Sequence, residues 1–221
     1  MRPIAIILAR GGSKGLLRKN LRPVAGRSLL WWAIEAARGA GLSVYVSTDD
    51  GEIAEEAVRC KAIAIMRPAE LATDEATSTE ALFHAVKEIE NLCVFDTIVF
   101  VEPNYFPQTA ETIKTVMASY DSGHVESAIS VRAYGDTLWK IGADGYGVQV
   151  TNLARLRRQD MEPTYTITGE CMVFDKDEFL YTSEIPCGRV RLVPLPGNTI
   201  DIHTSEDLQY AQYIAEKNNH E

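Results

Sequence analysis

Ile4-Ala5-Ile6-Ile7-Leu8-Ala9-Arg10-Gly11-Gly12-Ser13-Lys14-Gly15, continued by Leu16-Leu17-Arg18-Lys19-Asn20, is the stretch from which the rest of the chain is read. Its opening residues form an unbroken apolar run, as in a buried strand of an α/β protein. The run empties directly into a glycine-rich loop. Such a loop brings backbone N–H groups close to a phosphate, because glycine has no Cβ in the way and tolerates positive φ. The loop is also basic. Arg10, Lys14, Arg18, Lys19, Arg22 and Arg27 crowd together in a chain whose formal net charge is -9. Cations concentrated in an otherwise acidic molecule point to a small polyanion, above all a nucleoside triphosphate. The loop has neither the G-x-G-x-x-G spacing of dinucleotide sites nor the G-x-x-x-x-G-K-[ST] spacing of the Walker loop. A nucleotide-cofactor oxidoreductase is therefore disfavoured.

Composition sets the outer bounds. The chain has 221 residues and is 46% hydrophobic, enough for one well-buried domain over residues 1–221. No apolar run approaches the length of a membrane span, and Met1-Arg2-Pro3 leads into a strand rather than a signal peptide, so a cytoplasmic protein with no membrane partner is expected. Cys60, Cys93, Cys171 and Cys187 lack C-x-x-C spacing and suggest neither a zinc site nor a disulfide framework. A pI near 5.0 argues against a nucleic-acid polymer as partner. A mononucleotide needs only a local basic site.

Downstream, strands alternate with helices. Ser28 caps a predicted helix carrying Leu29, Leu30, Ala33, Ile34 and Ala37, which Gly39 and Gly41 end. Trp31 and Trp32 are adjacent, so at least one falls off that apolar face. Val44 to Thr48 is a strand, and Asp49-Asp50 then caps a helix with Ile53, Ala57 and Val58. Ala62 to Met66 is a short strand. Arg67 to Asp74 reads as a long loop, of the kind that is often functional in compact domains. Thr77-Ser78-Thr79-Glu80 is a capping box opening the next helix. Further strands are predicted at 97–101, 127–131, 171–174, 190–193 and 199–203, with helices over 109–120 and from Thr204 onward. The segment at about 133–165 breaks the alternation and reads as an insertion or a dimerisation arm. The pattern predicts an α/β fold with a doubly wound, mostly parallel sheet, whose ligands sit beyond the carboxyl ends of the strands.

On these residues the chain resembles the acylneuraminate cytidylyltransferases, the CMP-sialic acid synthetase family. The resemblance rests on Ile7 to Gly15 with Lys19-Asn20, and on Val46-Ser47-Thr48-Asp49-Asp50. It continues through Arg67-Pro68-Ala69-Glu70-Leu71-Ala72, Arg158-Gln159-Asp160, and Ile200-Asp201-Ile202 before Ser205-Glu206-Asp207-Leu208. It implies a Rossmann-like nucleotidyltransferase fold, a homodimer, Mg²⁺ as cofactor, and CTP with a small acidic acceptor as substrates. In the implied reaction an acid-sugar hydroxyl attacks the α-phosphorus of CTP and pyrophosphate leaves. By resemblance the nucleotide falls to Ala9, Arg10, Gly11, Gly12, Ser13, Lys14, Lys19, Asn20, Arg67, Ala76 and Ser78, with Arg10 and Lys19 in the catalytic role. Phosphoryl transfer needs charge neutralisation and positioning more than covalent catalysis, and a basic glycine loop supplies both. Arg18 reads as ordinary solvated charge.

The acceptor side departs from the family pattern. Gln-Pro-Thr-Ser-Pro-Leu-Arg-Thr is replaced by Glu102-Pro103-Asn104-Tyr105-Phe106-Pro107-Gln108-Thr109, and a carboxylate at Glu102 repels an acidic substrate. The later Arg-x-Asn-Gly-Ala-Ile-Tyr stretch reads Thr166-Ile167-Thr168-Gly169-Glu170-Cys171-Met172. Glu102, Asn104, Arg158, Gln159, Thr168 and Gly169 are the expected acceptor contacts, in a rebuilt pocket. Asp201 and His203 stand where relatives place two metal-binding aspartates. Imidazole suits zinc or nickel better than hard, oxygen-seeking Mg²⁺. His203 is thus either a metal ligand or a histidine hydrogen-bonded at a helix N-terminus. A family member that binds nucleotide but has weak or no catalysis, in a regulatory or scaffolding role, is the alternative reading.

Overall fold

The computed structural model describes residues 1–121, 124–134, 139–141, 143, 146–150, 163–197 and 199–218. In chain order the strands are β1 (Pro3–Leu8), β2 (Pro23–Val24), β3 (Arg27–Ser28), β4 (Ser43–Thr48), β5 (Ile63–Met66), β6 (Thr97–Val101) and β7 (Tyr105–Phe106). They continue as β8 (Ser127–Tyr134), β9 (Trp139–Ile141), β10 (Gly147–Gln149), β11 (Thr164–Asp175), β12 (Val190–Pro194) and β13 (Ile200–Asp201). The helices are α1 (Leu29–Gly39), α2 (Gly51–Arg59), α3 (Ser78–Glu90), α4 (Ala110–Asp121), α5 (Lys176–Thr182) and α6 (Ser205–Asn218).

A seven-stranded sheet in the order β12-β8-β11-β6-β1-β4-β5 carries the fold. Only β11 runs against its neighbours, β6 and β8. Period-two alternation sends successive side chains to opposite faces. Ala5, Ile7, Val46, Val99 and Val101 therefore pack with Leu30, Ala33 and Ile34 of α1, Ile53 of α2 and Ile113 of α4. Ile4, Ile6, Tyr45, Ile98 and Phe100 pack on the opposite side with Leu82, Ala85, Val86 and Ile89 of α3 and Phe179 of α5. Because both faces of β1 and β6 are covered, those strands are apolar throughout, which is why they stand out in the sequence.

From β1 the chain steps outward to β4 and β5, then returns to place β6 on the other side of β1. That reversal opens a crevice at the carboxyl ends of β1 and β6, the usual ligand position in such sheets. A third apolar cluster of Val24, Leu29, Phe106, Ile202, Ala211 and Ala215 fixes α6 beside this crevice. Both adjacent tryptophans of α1 are used. Trp31 packs toward the first cluster and Trp32 toward the third, where its Nε1 donates to the carbonyl of Val24 at 3.0 Å.

Several predicted elements change. The strand expected over 199–203 is only Ile200–Asp201, and it pairs with β7 outside the main sheet. Its extended conformation stops there because Thr204 already caps α6, its Oγ1 accepting from the N–H of Asp207 at 3.2 Å. The strand expected over 171–174 begins at Thr164 and contains an irregularity between Ile167 and Met172. Gly169 adopts φ +62 in that bulge, and this break hid the longer strand. Helix α5, capped when Asp175 accepts from the N–H of Glu178 at 2.8 Å, was not expected. The proposed dimerisation segment contributes β9 and β10 to a two-stranded ladder. Residues 151–162, with Arg158 and Gln159, lie outside the described residues.

Candidate active site

The loop after β1 is held by neighbours that its sequence does not advertise. The N–H of Ala9 donates to the carbonyl of Ser47 at 3.0 Å, and the N–H of Gly11 donates to Asp49 Oδ1 at 3.0 Å. Arg18 sits at φ 57 and reaches Asp50 and Glu52, with nitrogen–oxygen distances of 3.0 and 2.9 Å. The same Asp50 caps α2, so Arg18 ties the loop to a helix start. A 3₁₀ turn at Lys19–Leu21 then buries Asn20, whose Nδ2 donates to the carbonyl of Arg10 at 3.1 Å. Its neighbour Lys19 is thereby directed into the crevice.

The crevice has a volume of about 400 Å³. Arg10, Ser13, Lys14, Gly15, Lys19 and Asn20 line one side, Arg67, Ala76 and Ser78 the rim beside it, and Glu102, Asn104 and His203 the far side. Ala9, Gly11 and Gly12 lie beside the crevice and are not among its lining residues. Ala9 is fully buried in the core, and the Gly11 N–H is already given to Asp49. The loop side of the crevice takes its cationic side chains from Arg10, Lys14 and Lys19.

Arg67 also has a second task. It is 7% exposed; its Nη2 donates to the carbonyl of Ser47 at 2.8 Å, and its N–H donates to the carbonyl of Thr48 at 2.8 Å. These bonds anchor the 67–76 loop, and burial lowers the guanidinium's pKa. Asp74 on that loop crosses the crevice mouth. Its carboxylate lies 3.2 Å from Arg10 and 3.0 Å from Lys14, while Arg10 Nη1 donates to the carbonyl of Thr73 at 2.9 Å. The hydrogen bond from Lys14 holds the Asp74 carboxyl below its usual range. Asp74 was missed in the sequence, although it ends the long loop flagged there. Lone acidic residues in loops are too common to single out.

The far wall is acidic. Glu102 follows β6, and burial, reinforced by Asp201, pushes its carboxyl up to about 7. Burial lowers Lys19, opposed by Asp201 and Glu102. Gly169 lies directly behind this wall, where an added Cβ would stand 2.0 Å from the Tyr105 ring and 2.6 Å from Glu102 Oε2. Thr168 is not among the residues lining the crevice; it is buried, and its hydroxyl donates to Ser130 Oγ at 2.9 Å. Gly169 backs Glu102 and Tyr105, and its carbonyl accepts from the N–H of Glu102 at 3.4 Å.

Asp201 is heavily engaged. Asn104 Nδ2 donates to its Oδ1 at 2.6 Å, His203 Nε2 lies 2.8 Å from its Oδ2, and the Tyr105 hydroxyl bonds it too. The ladder of β7 with β13 enforces this grouping, with Asp201 opposite Tyr105. Among the described residues no cluster of three or more His, Cys, Asp or Glu could hold a metal ion. One carboxylate already engaged by Asn104 and Tyr105, beside an imidazole, does not fit a protein-built Mg²⁺ site, which needs several free oxygens. Among the described residues no helix is long and apolar enough to cross a membrane.

A basic crevice at the reversal point of a mostly parallel sheet defines a nucleotide-binding α/β protein. The family model described as Cytidylyltransferase matches residues 4–212, and the chain belongs to that family. It is 28% identical over 216 residues to an N-acylneuraminate cytidylyltransferase of Streptococcus agalactiae serotype V, covering 94% of this chain and 52% of that one. It is 27% identical over 238 residues to a pseudaminic acid cytidylyltransferase of Campylobacter jejuni, covering 100% and 99%. The chain thus spans about half the length of the N-acylneuraminate relatives and nearly all of the second relative. Among solved structures, CMP:2-keto-3-deoxy-manno-octonic acid synthetase complexed with CTP superposes with a TM-score of 0.72 at 16% identity, covering 99% of this chain and 100% of that one. A 4-diphosphocytidyl-2C-methyl-D-erythritol synthase from Anaerococcus prevotii gives 0.69 at 16%, covering 97% and 98%. The expected nucleotidyltransferase fold, Rossmann-like, is thereby shown.

Proposed function

We propose that the protein transfers CMP from CTP to a hydroxyl of an acidic sugar of the nonulosonic class, releasing pyrophosphate. The observation that carries this reading is the crevice, which gathers Arg10, Lys14 and Lys19 on one wall and faces them with a separate polar wall. The named relatives act on N-acylneuraminate and pseudaminic acid, both acids. In this reading Arg10, Ser13, Lys14 and Lys19 hold the triphosphate, and Ala76 and Ser78 at the start of α3 face the cytidine. The cations neutralise charge that grows on the leaving pyrophosphate, the term that dominates phosphoryl transfer. Mg²⁺ would come with the nucleotide and would help neutralise its phosphate charge. The acceptor lies against Glu102 and Asn104. Because Glu102 disfavours a carboxylate beside it, the acceptor's acid group points away from that residue. We place the reaction in the cytoplasm, where CTP is made, and expect a homodimer built through the 133–165 segment.

The test is pyrophosphate release from CTP, with UTP and ATP as controls, across a panel of nonulosonic acids. Release with CTP and one acid sugar supports the reading. CTP-dependent thermal stabilisation without release from any acceptor supports the non-catalytic alternative. Sedimentation as a monomer removes the dimer.

A further inference from the structure

The far wall of the crevice carries a carboxylate that no neighbour answers, and this narrows the acceptor. We propose that Glu102 is a specificity-determining residue that selects acid sugars bearing a cationic nitrogen substituent, an ammonium or amidinium group set against its carboxylate; this rests on the transferase reading above. Glu102 stands directly after β6 and lines the crevice opposite the cationic loop. Its backbone is fixed on both sides: the N–H donates to the carbonyl of Gly169 at 3.4 Å, and its own carbonyl accepts from Gln108 Nε2 at 2.7 Å. The side chain lies over Gly169, where an added Cβ would stand 2.6 Å from Oε2. A glycine there leaves room for the carboxylate and supplies no side chain to pair with it.

The donors around Glu102 are committed elsewhere. Asn104 Nδ2 donates to Asp201 Oδ1 at 2.6 Å, the Tyr105 hydroxyl bonds the same carboxylate, and His203 Nε2 lies 2.8 Å from Asp201 Oδ2. Gln108 gives its amide to the Glu102 carbonyl. Among the described residues, none hydrogen-bonds to or ion-pairs with the Glu102 carboxylate. What acts on it is burial together with the charges of Asp201, Lys19 and His203 at longer range.

Lys19 belongs to the triphosphate in the transferase reading, so once CTP is bound its charge no longer serves Glu102. The carboxylate is then left largely buried and facing Asp201 with nothing to offset either effect. Holding an anion in such a place is costly, and a cation delivered by the second substrate removes the cost. A neutral amide on the sugar also offers an N–H, but charge-assisted hydrogen bonds are roughly twice as strong as neutral ones.

Acetamido and acetamidino groups have nearly the same shape and differ in charge, so nonulosonic acids prepared as such matched pairs isolate the effect. The wild type is expected to favour the amidino member by about 10²-fold in kcat/KM, measured as pyrophosphate release, and Glu102→Gln to reduce the preference to within about threefold. The variant's kcat/KM for the acetamido member should rise, a gain that a merely damaged fold does not give. An equal or reversed preference in the wild type overturns the proposal, and so does a preference that survives in Glu102→Gln. Calorimetry on the protein loaded with a non-hydrolysable CTP analogue compares the same pairs without chemistry. There the amidino member should bind the wild type at least about tenfold more tightly, a difference that vanishes in Glu102→Gln. A wild type that releases no pyrophosphate from any acceptor fails the transferase reading itself; the calorimetric comparison still decides the role of Glu102, and equal or absent binding of the two members overturns it.

Discussion

On the loop side of the crevice, Arg10 and Lys14 are held by one exposed carboxylate, Asp74; on the opposite side, the Asp201 carboxylate is held by Asn104 and Tyr105. Exposed ion pairs are worth little and exchange readily. A carboxylate held by several donors at once is costlier to disturb. The first wall is therefore suited to trading Asp74 for a phosphate, and the second to holding a fixed shape into which only a matching acceptor fits. Sequence divergence follows the same division. The cationic loop keeps its family pattern, while Glu102, Thr166, Thr168, Glu170, Met172 and His203 depart from it.

The largest effect should come from removing the cationic wall. Arg10→Ala is expected to lower kcat/KM for CTP by about 10²–10³, the size seen when a charge-stabilising donor is lost. Steady-state kinetics with pyrophosphate detection measures it, and a loss below tenfold would break the assignment of this wall to the triphosphate. Next comes the support of the opposite wall. Gly169→Ala meets the Tyr105 ring at 2.0 Å with φ already at +62, and should cost about 2–4 kcal/mol in urea unfolding.

Glu102→Gln tests the electrostatics of that wall. The Glu102 carboxyl sits at about 7 in the fold against 4.5 in the unfolded chain. A raised carboxyl value means that the folded state binds more protons, so stability is fully present below pH 4.5 and is lost as pH rises through 7. The variant should flatten this fall and gain on the order of 2 kcal/mol at pH 8, read from denaturant melts across pH. Asp74→Asn probes the exchangeable ion pair. It should tighten CTP binding by roughly three- to tenfold in calorimetry and steepen its salt dependence, because Arg10 and Lys14 are no longer neutralised by a competing anion. The smallest effect is expected from Arg18→Ala. This residue ties the loop to α2 rather than facing the nucleotide, so stability should drop by less than about 1 kcal/mol with CTP affinity unchanged.

What could be read from the sequence follows from what determines each element. The strands β1, β4 and β6 and the caps at Ser28, Asp50 and Thr77 depend on local composition and spacing, and they form where expected. The short β7–β13 ladder could not be read, because it depends on two distant segments meeting. The bulge at Gly169 was hidden for a similar reason: its left-handed backbone answers to Tyr105, which is 64 residues earlier by numbering. Within the site, Arg10, Lys14 and Lys19 were visible as a cluster of charge in one short stretch. The roles of Asp74 and Arg67 were not, since one depends on a loop folding back and the other on carbonyls at the end of β4.

Gly15 stands so close to the His203 carbonyl that an added Cβ would lie 2.5 Å from its oxygen, which brings the two walls together there. A triphosphate that shifts the loop must press on the segment carrying Asp201 and His203, so the two substrates should not add independently. Initial-rate patterns with CTP and acceptor varied together should intersect and show a preferred order, with the nucleotide entering first.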